Sequence, residues 1–426
     1  MERPKRSAPA GLPYDSILEI LARLPARSVY RSKCVAKAWR DLVDDPLNRK
    51  KLPQTLEGFF IMKPGTVGVD GVEHFGFINL LPRPVPLDID PSFSFLKKLP
   101  ETENLSFLDS CNGLLLFVHA RKSDRLYPFD VLGYVVCNPA TKQWEAVPAC
   151  GCLPMTDCSE WYTFLAFHPA VSSHFQLINC WKQGVDEEGE DLEDEALSVC
   201  TYSSGTRTWS RRSQTDWNNE QGHLEGWRHQ GTVCYPGAMP QHAFVNCILH
   251  LMVWDLDDSP IVAAVDIQGK TQRIIKIPAA AEGMRWAHAH RGHISQSQGR
   301  LHYINIEIEV GTPHPEKCHE WSIWDLQDYD TQEWVLKDTV SFHKLFGENI
   351  CRNESCTGCK SSCAVVAIHQ DCNVVFFLQS QNRLIAYDMD RKEVTVVATF
   401  ENKIWVDGIA PYVPYFTELP VLTNKH

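Results

Sequence analysis

Residues 134–144 read Tyr-Val-Val-Cys-Asn-Pro-Ala-Thr-Lys-Gln-Trp: an apolar run, a polar break at Asn138-Pro139, then Thr141 and, three positions on, Trp144. An aromatic and β-branched run followed by turn residues and a second apolar start reads as two strands joined by a tight turn. The same order returns from Leu197-Ser198-Val199 to Thr206 and Trp209, and from Trp321-Ser322-Ile323 to Thr331 and Trp334. Two weaker copies run from Val262 to Thr271 and Ile274, and from Leu384-Ile385-Ala386 to Arg391 and Val394, the last without the Thr. Positions 141, 206, 271, 331 and 391 are therefore equivalent, with steps of 65, 65, 60 and 60 residues, the signature of one structural unit repeated.

Further strands precede most copies, at 113–118, 248–254, 300–306 and 373–378, which makes about four strands per unit. Such a unit cannot bury both faces alone, and radial stacking into a β-propeller solves this while protecting sheet edges. Phe59–Met62 and Phe75–Leu80 can pair with Ile404–Val413 to close the ring, giving about six blades, with five or seven also compatible. In each turn the Thr is positioned to hydrogen-bond the backbone, and the Trp supplies apolar area between neighbouring blades. The tryptophans thus read as structural, and Trp144→Ala or Trp334→Ala is expected to cost about 3–5 kcal/mol.

The residues before this repeat differ. Ile17, Ile20, Leu21 and Leu24 fall at i, i+3, i+4, i+7, the spacing of one helical face. Pro13 and Asp15 suit a helix start, Ser16 with Glu19 fits a capping box, and Pro25 ends the helix. A second short helix fits residues 27–34, and a third puts Val35, Trp39 and Leu42 on one face before Asp45-Pro46. Three helices in some forty residues bury too little apolar surface to stand alone, so an apolar face left over predicts a protein partner.

Leu12-Pro13, Asp15, Ile17, Glu19-Ile20-Leu21, Leu24-Pro25, Ser28, Arg31, Cys34-Val35, Lys37, Trp39-Arg40, Leu42 and Asp45-Pro46 together resemble the F-box family, over nearly all of residues 11–50. The resemblance implies docking on the Skp-type linker of a cullin-based SCF ubiquitin ligase. Leu12, Pro13, Ile17, Ile20, Leu21, Leu24, Pro25, Val35 and Trp39 are the residues implied for that contact, some through the module's own core. A stray helical extension or a DNA-reading helix-turn-helix would share the helical pattern but not this set of residues. Downstream, Cys111-Asn112-Gly113-Leu114-Leu115 and Cys137-Asn138-Pro139-Ala140-Thr141-Lys142-Gln143-Trp144 resemble the F-box-associated domain of plant F-box proteins. The expected layout is a disordered tail at 1–10, the F-box at 11–51, the propeller at 52–415 and a C-terminal tail at 416–426.

Charge divides along the same line. The 426-residue chain carries −12 overall, but residues 1–51 carry +6, leaving −18 on the rest. Family linkers are acidic, so the resemblance implies attraction to the basic head, while the acidic body argues against nucleic-acid binding. Apolar runs such as Leu114–Val118 and Ala364–Ile368 are far short of a bilayer span, and no secretory leader is evident at Met1–Gly11, so a cytoplasmic or nuclear setting is expected. In that setting the 16 cysteines are expected to stay reduced, with no structural disulfides.

Four constellations remain. Cys351, Cys356, Cys359 and Cys363 are weak zinc-ligand candidates, because C-x4-C-x2-C-x3-C lacks paired knuckles; a Cys-rich loop is favoured and no cofactor is expected. His288, His290 and His293 could share a strand face but have no carboxylate close in sequence. The run Asp186–Glu195 holds eight acids in ten residues and reads as a solvated loop between strands. Gly205–Trp209 matches part of the Asp-box turn of propeller hydrolases, but Ser203 stands where the diagnostic Asp belongs.

No phosphate loop, RING pattern or paired-carboxylate set appears, so a non-enzymatic role is expected. The expected function is substrate recognition for an SCF ligase, with the propeller holding a protein substrate and residues 217–231, including Trp217, His223 and Trp227, as candidate contacts. A scaffold acting outside the ligase, or less readily a propeller hydrolase or metal sensor, are the alternatives.

Overall fold

The computed structural model describes residues 13–24, 26–49, 51–63, 74–80, 89–96, 105–122, 129–151, 161–182, 197–211, 241–254, 260–278, 292–307, 320–347, 363–380, 382–404 and 406–425. Residues 1–10, the acidic run 186–195, the 217–231 stretch, His288 and His290, and Cys351, Cys356 and Cys359 lie outside them, as do Leu12 and Pro25.

The N-terminal module contains α1 (Tyr14–Ala22), α2 (Ala26–Ser32), α3 (Lys37–Asp44) and a one-turn α4 (Pro46–Arg49). Three helices were expected. Asp45 does end α3, but Pro46 then serves as the first residue of α4, where its missing N–H costs nothing. Pro13 rather than Ser16 caps α1, so the capping box is not used. Ile17, Leu18, Leu21, Val29, Leu42, Val43 and Leu52 form the module's core. The Tyr14 hydroxyl donates to Ala38 O (3.2 Å) and Lys33 Nζ pairs with Asp44 (2.7 Å) to tie the helices together.

Next come β1 (Gly58–Lys63) and β2 (His74–Asn79), an antiparallel pair that is completed only near the other end of the chain. Blade 1 follows with β3 (Leu105–Cys111), β4 (Leu114–Lys122), β5 (Phe129–Asn138) and β6 (Gln143–Pro148). Blade 2 has β7 (Trp161–Ala166), β8 (Gln176–Lys182), β9 (Leu197–Ser203) and β10 (Thr208–Arg211). Blade 3 has β11 (His242–Val245), β12 (Ile248–Trp254), β13 (Pro260–Asp266) and β14 (Thr271–Lys276).

Blade 4 has β15 (His293–Ser297), β16 (Arg300–Glu307), β17 (Glu320–Asp328) and β18 (Glu333–Ser341), with α5 (Phe342–Phe346) after it. Blade 5 has β19 (Cys363–Ile368), β20 (Val374–Gln379), β21 (Arg383–Asp388) and β22 (Glu393–Thr399). The sixth blade is β2-β1-β23, with β23 (Ile409–Tyr412) paired to β1 from Gly58↔Tyr412 to Ile61↔Ile409. The molecule is thus a six-bladed propeller behind a small helical module, closed by the pairing the sequence predicted.

Every copy of the repeat is the third-to-fourth-strand hairpin of a blade. One apolar cluster fills each seam, for example Ile304, Trp321 and Ile323 of blade 4 against Val365, Val375 and Phe377 of blade 5. Trp144 is 8 % exposed and sits in the seam with Phe60 and Tyr412 of the sixth blade. Trp209 and Trp334 are only partly buried. Each packs on the preceding blade and donates its indole N–H across the seam, to Pro148 O (2.9 Å) and Lys276 O (2.8 Å) respectively.

The role expected of the Thr falls to another residue. Asp328 Oδ1 accepts from Asp330 N (2.7 Å) and Thr331 N (2.9 Å), and Asp388 Oδ1 accepts from Asp390 N (2.9 Å) and Arg391 N (3.0 Å). Asn138 Oδ1 does the same for Ala140 N (3.0 Å). A short side-chain acceptor at the end of the third strand makes the turn, and backbone N–H bonds hold the Asp328 carboxyl below the usual range. In four of the five copies the residue after the Thr position, Lys142, Arg207, Gln332 or Lys392, has positive φ (57°, 56°, 57° and 59°), while in blade 3 the left-handed residue is Gly269 (79°).

Residues 416–426 were expected as a C-terminal tail, yet through residue 425 they belong to blade 1. Leu419, Val421 and Leu422 are buried there, and β24 (Asn424–Lys425) pairs with β6 as a fifth strand. Gln143 binds the segment on both sides: Leu419 N donates to its Oε1 (2.9 Å), and its Nε2 donates to Leu419 O and Leu422 O (3.3 Å each). A single leucine, a proline and the pair Val421-Leu422 are too short a run to read as a strand from sequence.

Candidate functional site

Two places concentrate functional chemistry: the outer face of the helical module and the axis of the propeller. On α1 the apolar stripe divides. Ile17 and Leu21, implied as linker contacts, are 3 % and 1 % exposed and face the module's own core. Leu18 explains the division, because three successive inward positions at 17, 18 and 21 rotate the buried face away from 20 and 24. Ile20 (51 % exposed), Leu24 (36 %), Val35 (67 %) and Leu47 (68 %) are left to solvent. Trp39 is half-buried beside the core and Pro13 is exposed. An exposed Ile, Leu and two Val/Leu side chains on so small a module cannot be explained by folding, since its core is already closed without them.

At the propeller axis the inner strands of all six blades surround a cavity of about 150 Å³, reached by Leu56 of the segment joining module to ring. Its polar centre is Asp109, in β3, and His242, in β11. A β-bulge between Phe107 and Asp109 re-aims the carboxylate toward the axis. Its oxygens accept from Ser110 N (2.6 Å), Leu165 N (2.8 Å) and His242 Nε2 (3.1 Å), so one side chain pins blades 1, 2 and 3 together. The His242 ring lies 4.8 Å from that of Phe164.

This arrangement ties strands of three blades together around the axis. Cys111 lines the same cavity, where burial first, and then the Asp109 charge, raise its thiol pKa above the usual range. Its Sγ donates to Phe167 O (3.4 Å). His293 lies in β15, half-buried, with its pKa pushed down to about 3 by burial and then by His242. Of the cysteine candidates only Cys363 is described, and it is buried at the start of β19 among apolar side chains. Among the described residues no group of three or more His, Cys, Asp and Glu is placed to hold a metal.

Sequence reasoning missed Asp109 and His242. The first had a signal, a lone acid within Leu105-Ser106-Phe107-Leu108-Asp109-Ser110-Cys111. The second had none, because its partner lies 133 residues away.

A closed helical module with solvent-facing apolar side chains, set before a six-bladed ring, defines an F-box propeller protein. Comparison with known proteins agrees. Residues 10–51 match the F-box domain, and residues 87–410 match the family described as F-box protein At3g26010-like, beta-propeller. The chain belongs to this F-box propeller family. It is 21% identical over 353 residues to the F-box protein At5g49610 of Arabidopsis thaliana, covering 79% of this chain and 80% of that one. It is 24% identical over 203 residues to F-box protein At5g07610 of the same plant, a match taking in 46% of this chain and 44% of the relative.

Among solved structures, an oligogalacturonate lyase in complex with manganese aligns with a TM-score of 0.38 at 11% identity, covering 80% of this chain and 74% of the lyase. A Bacteroides ovatus xyloglucan-locus GH43B aligns with a TM-score of 0.31 over 74% of this chain and 57% of that one, under two thirds of its length. At the family level, an F-box joined to a propeller is the build of a substrate adaptor, F-box domains generally bind Skp1-type linkers, and F-box proteins are generally non-catalytic. Among the described residues no helix is long and apolar enough to cross a membrane.

Proposed function

We propose that this chain is the substrate-recognition subunit of an SCF ubiquitin ligase, docking through its helical module on a Skp-type linker, and through it a cullin, while the propeller holds a protein substrate. The observation that carries this reading is the exposure of Ile20, Leu24, Val35 and Leu47 on a module whose core is complete without them. These four, with Pro13 and Trp39, are the linker contacts, joined by Leu12 and Pro25, which lie outside the described residues, and Ile17 and Leu21 support the set from within. Ubiquitin transfer is then performed by other subunits, and this chain contributes proximity. The ring offers the substrate its loops and rim, where recognition concentrates on propellers and other rigid scaffolds. The adaptor works in the cytoplasm or nucleus, where that machinery operates.

The test is co-purification of full-length protein with the Skp-type linker and cullin, comparing wild type with Val35→Asp and Ile20→Asp. Both positions are solvent-facing, so the propeller's melting temperature should not change, while linker recovery should fall about tenfold or more if these are central interface residues. Equal recovery by wild type and both variants would remove the assignment of the surface. No recovery by wild type would remove the function.

A further inference from the structure

Across the seam between blades 1 and 2, the Sγ atoms of Cys150 and Cys200 lie 3.0 Å apart. Both are thiols, 6% and 1% exposed, and Trp209 packs against the pair. Cys200 is held in the middle of β9, between Asn179 of β8 and Arg211 of β10. Cys150 lies two residues beyond β6 in irregular chain, next to the exposed Gly151. The two sulfurs therefore face each other across a joint with one side fixed and one side free to adjust. A disulfide needs its sulfurs at about 2.05 Å, which asks for a shift of about 1 Å, and the irregular chain at Cys150 can supply it.

We propose that Cys150 and Cys200 are a reversible oxidation site, joined by a peroxide-class oxidant into a disulfide that staples blade 1 to blade 2 and reopened by a dithiol. This site is independent of the ligase reading. The Cys150 sulfur, the more exposed of the two, attacks the peroxide: an S–O bond forms, the O–O bond breaks, and one water leaves. The Cys200 sulfur then attacks the sulfenic sulfur, the S–S bond forms, the S–O bond breaks, and a second water leaves with the remaining proton. Two thiols lose two electrons to one hydrogen peroxide, giving one disulfide and two waters. The geometry selects this pair over the other buried thiols. Cys180 in β8 neighbours Cys200 in the sheet but belongs to the apolar cluster facing blade 3, with Val199 and Leu249.

The staple closes a loop from 150 to 200 that includes β7, β8 and half of β9, so the oxidised protein should melt several degrees higher than the reduced one. The experiment treats folded full-length protein with hydrogen peroxide, alkylates the remaining thiols and maps peptides without reduction. The expected result is a 150–200 cross-linked peptide as the main product, reversed by dithiothreitol, lost in Cys150→Ser and Cys200→Ser, and retained in Cys180→Ser. A rise in melting temperature that dithiothreitol reverses should accompany it in wild-type protein, without any substitution. Recovery of both cysteines as alkylated thiols after peroxide, or formation of the cross-link only in denatured protein, would overturn the proposal.

Discussion

Burial decides how each repeated side chain contributes. Trp144 is inside a seam, and Trp144→Ala should lower stability by about 3–5 kcal/mol in denaturant unfolding. Trp334, expected from sequence to cost the same, keeps part of its surface in water, so Trp334→Ala should cost roughly half as much, much of it from the lost N–H bond to Lys276 O. The turns make a second point. Arg391 replaces the Thr of the other copies without altering the turn, because Asp388 accepts the backbone N–H bonds. Asp388→Ala should therefore destabilise by about 1–2 kcal/mol, two hydrogen bonds' worth, while Arg391→Ala should be near neutral.

The buried histidine of β12 gives a pH prediction at the same scale. His250 is pushed down to about 4 by burial, opposed by the hydrogen-bonded carbonyls of Ala243 and Ile248. It also faces the Tyr329 hydroxyl at 2.9 Å, with the Arg273 guanidinium over that ring. The native imidazole stays neutral while the unfolded one takes a proton near pH 6.5, so between pH 6.5 and 4 the unfolded state holds more protons and stability falls with falling pH. The slope from this group is at most about 1.4 kcal/mol per pH unit. Urea unfolding of wild type and His250→Gln at pH 7, 6 and 5 should show a shallower loss in the variant.

Elements differ in how much of them was written locally. The third-to-fourth-strand hairpins were legible because strand, turn residues and the next strand fall within about a dozen positions, and a period of 60–65 residues repeats them. The closing pair β1–β23 was legible from apolar runs left without partners. The inner strands' polar centre was not, because Asp109 and His242 meet only after three blades have stacked. Nor was the division of α1 into a core side and a solvent side, since i, i+3, i+4 spacing fixes a stripe but not its facing partner. The segment holding β24 was missed for the same reason: Leu419, Val421 and Leu422 are defined by Gln143 and blade 1 rather than by their own pattern. Truncation after residue 415 should uncover that apolar surface and the edge of β6, lowering the melting temperature by about 5 °C or more. Scanning calorimetry of the truncated and full chains measures it.

At the scale of the molecule, a +6 head is attached to a −18 body. If the head meets an acidic linker, the association rate should fall several-fold between about 50 and 500 mM salt while dissociation changes little, because screening acts on the approach rather than on the closed apolar contact. Stopped-flow mixing at increasing salt separates the two rates.

The double closure of the ring also sets an order of events during synthesis. The core of the helical module draws only on residues 14–52, so all of its side chains have been synthesised before any blade is. Blade 6 cannot be completed until Ile409–Tyr412 emerges to join β1, and blade 1 keeps a bare edge until Asn424–Lys425 follows. For most of translation the nascent chain thus carries the complete helical sequence in front of an open ring. A chain stopped before residue 409 would carry the whole helical module and five blades around an open ring, with the β1–β2 hairpin short of its third strand.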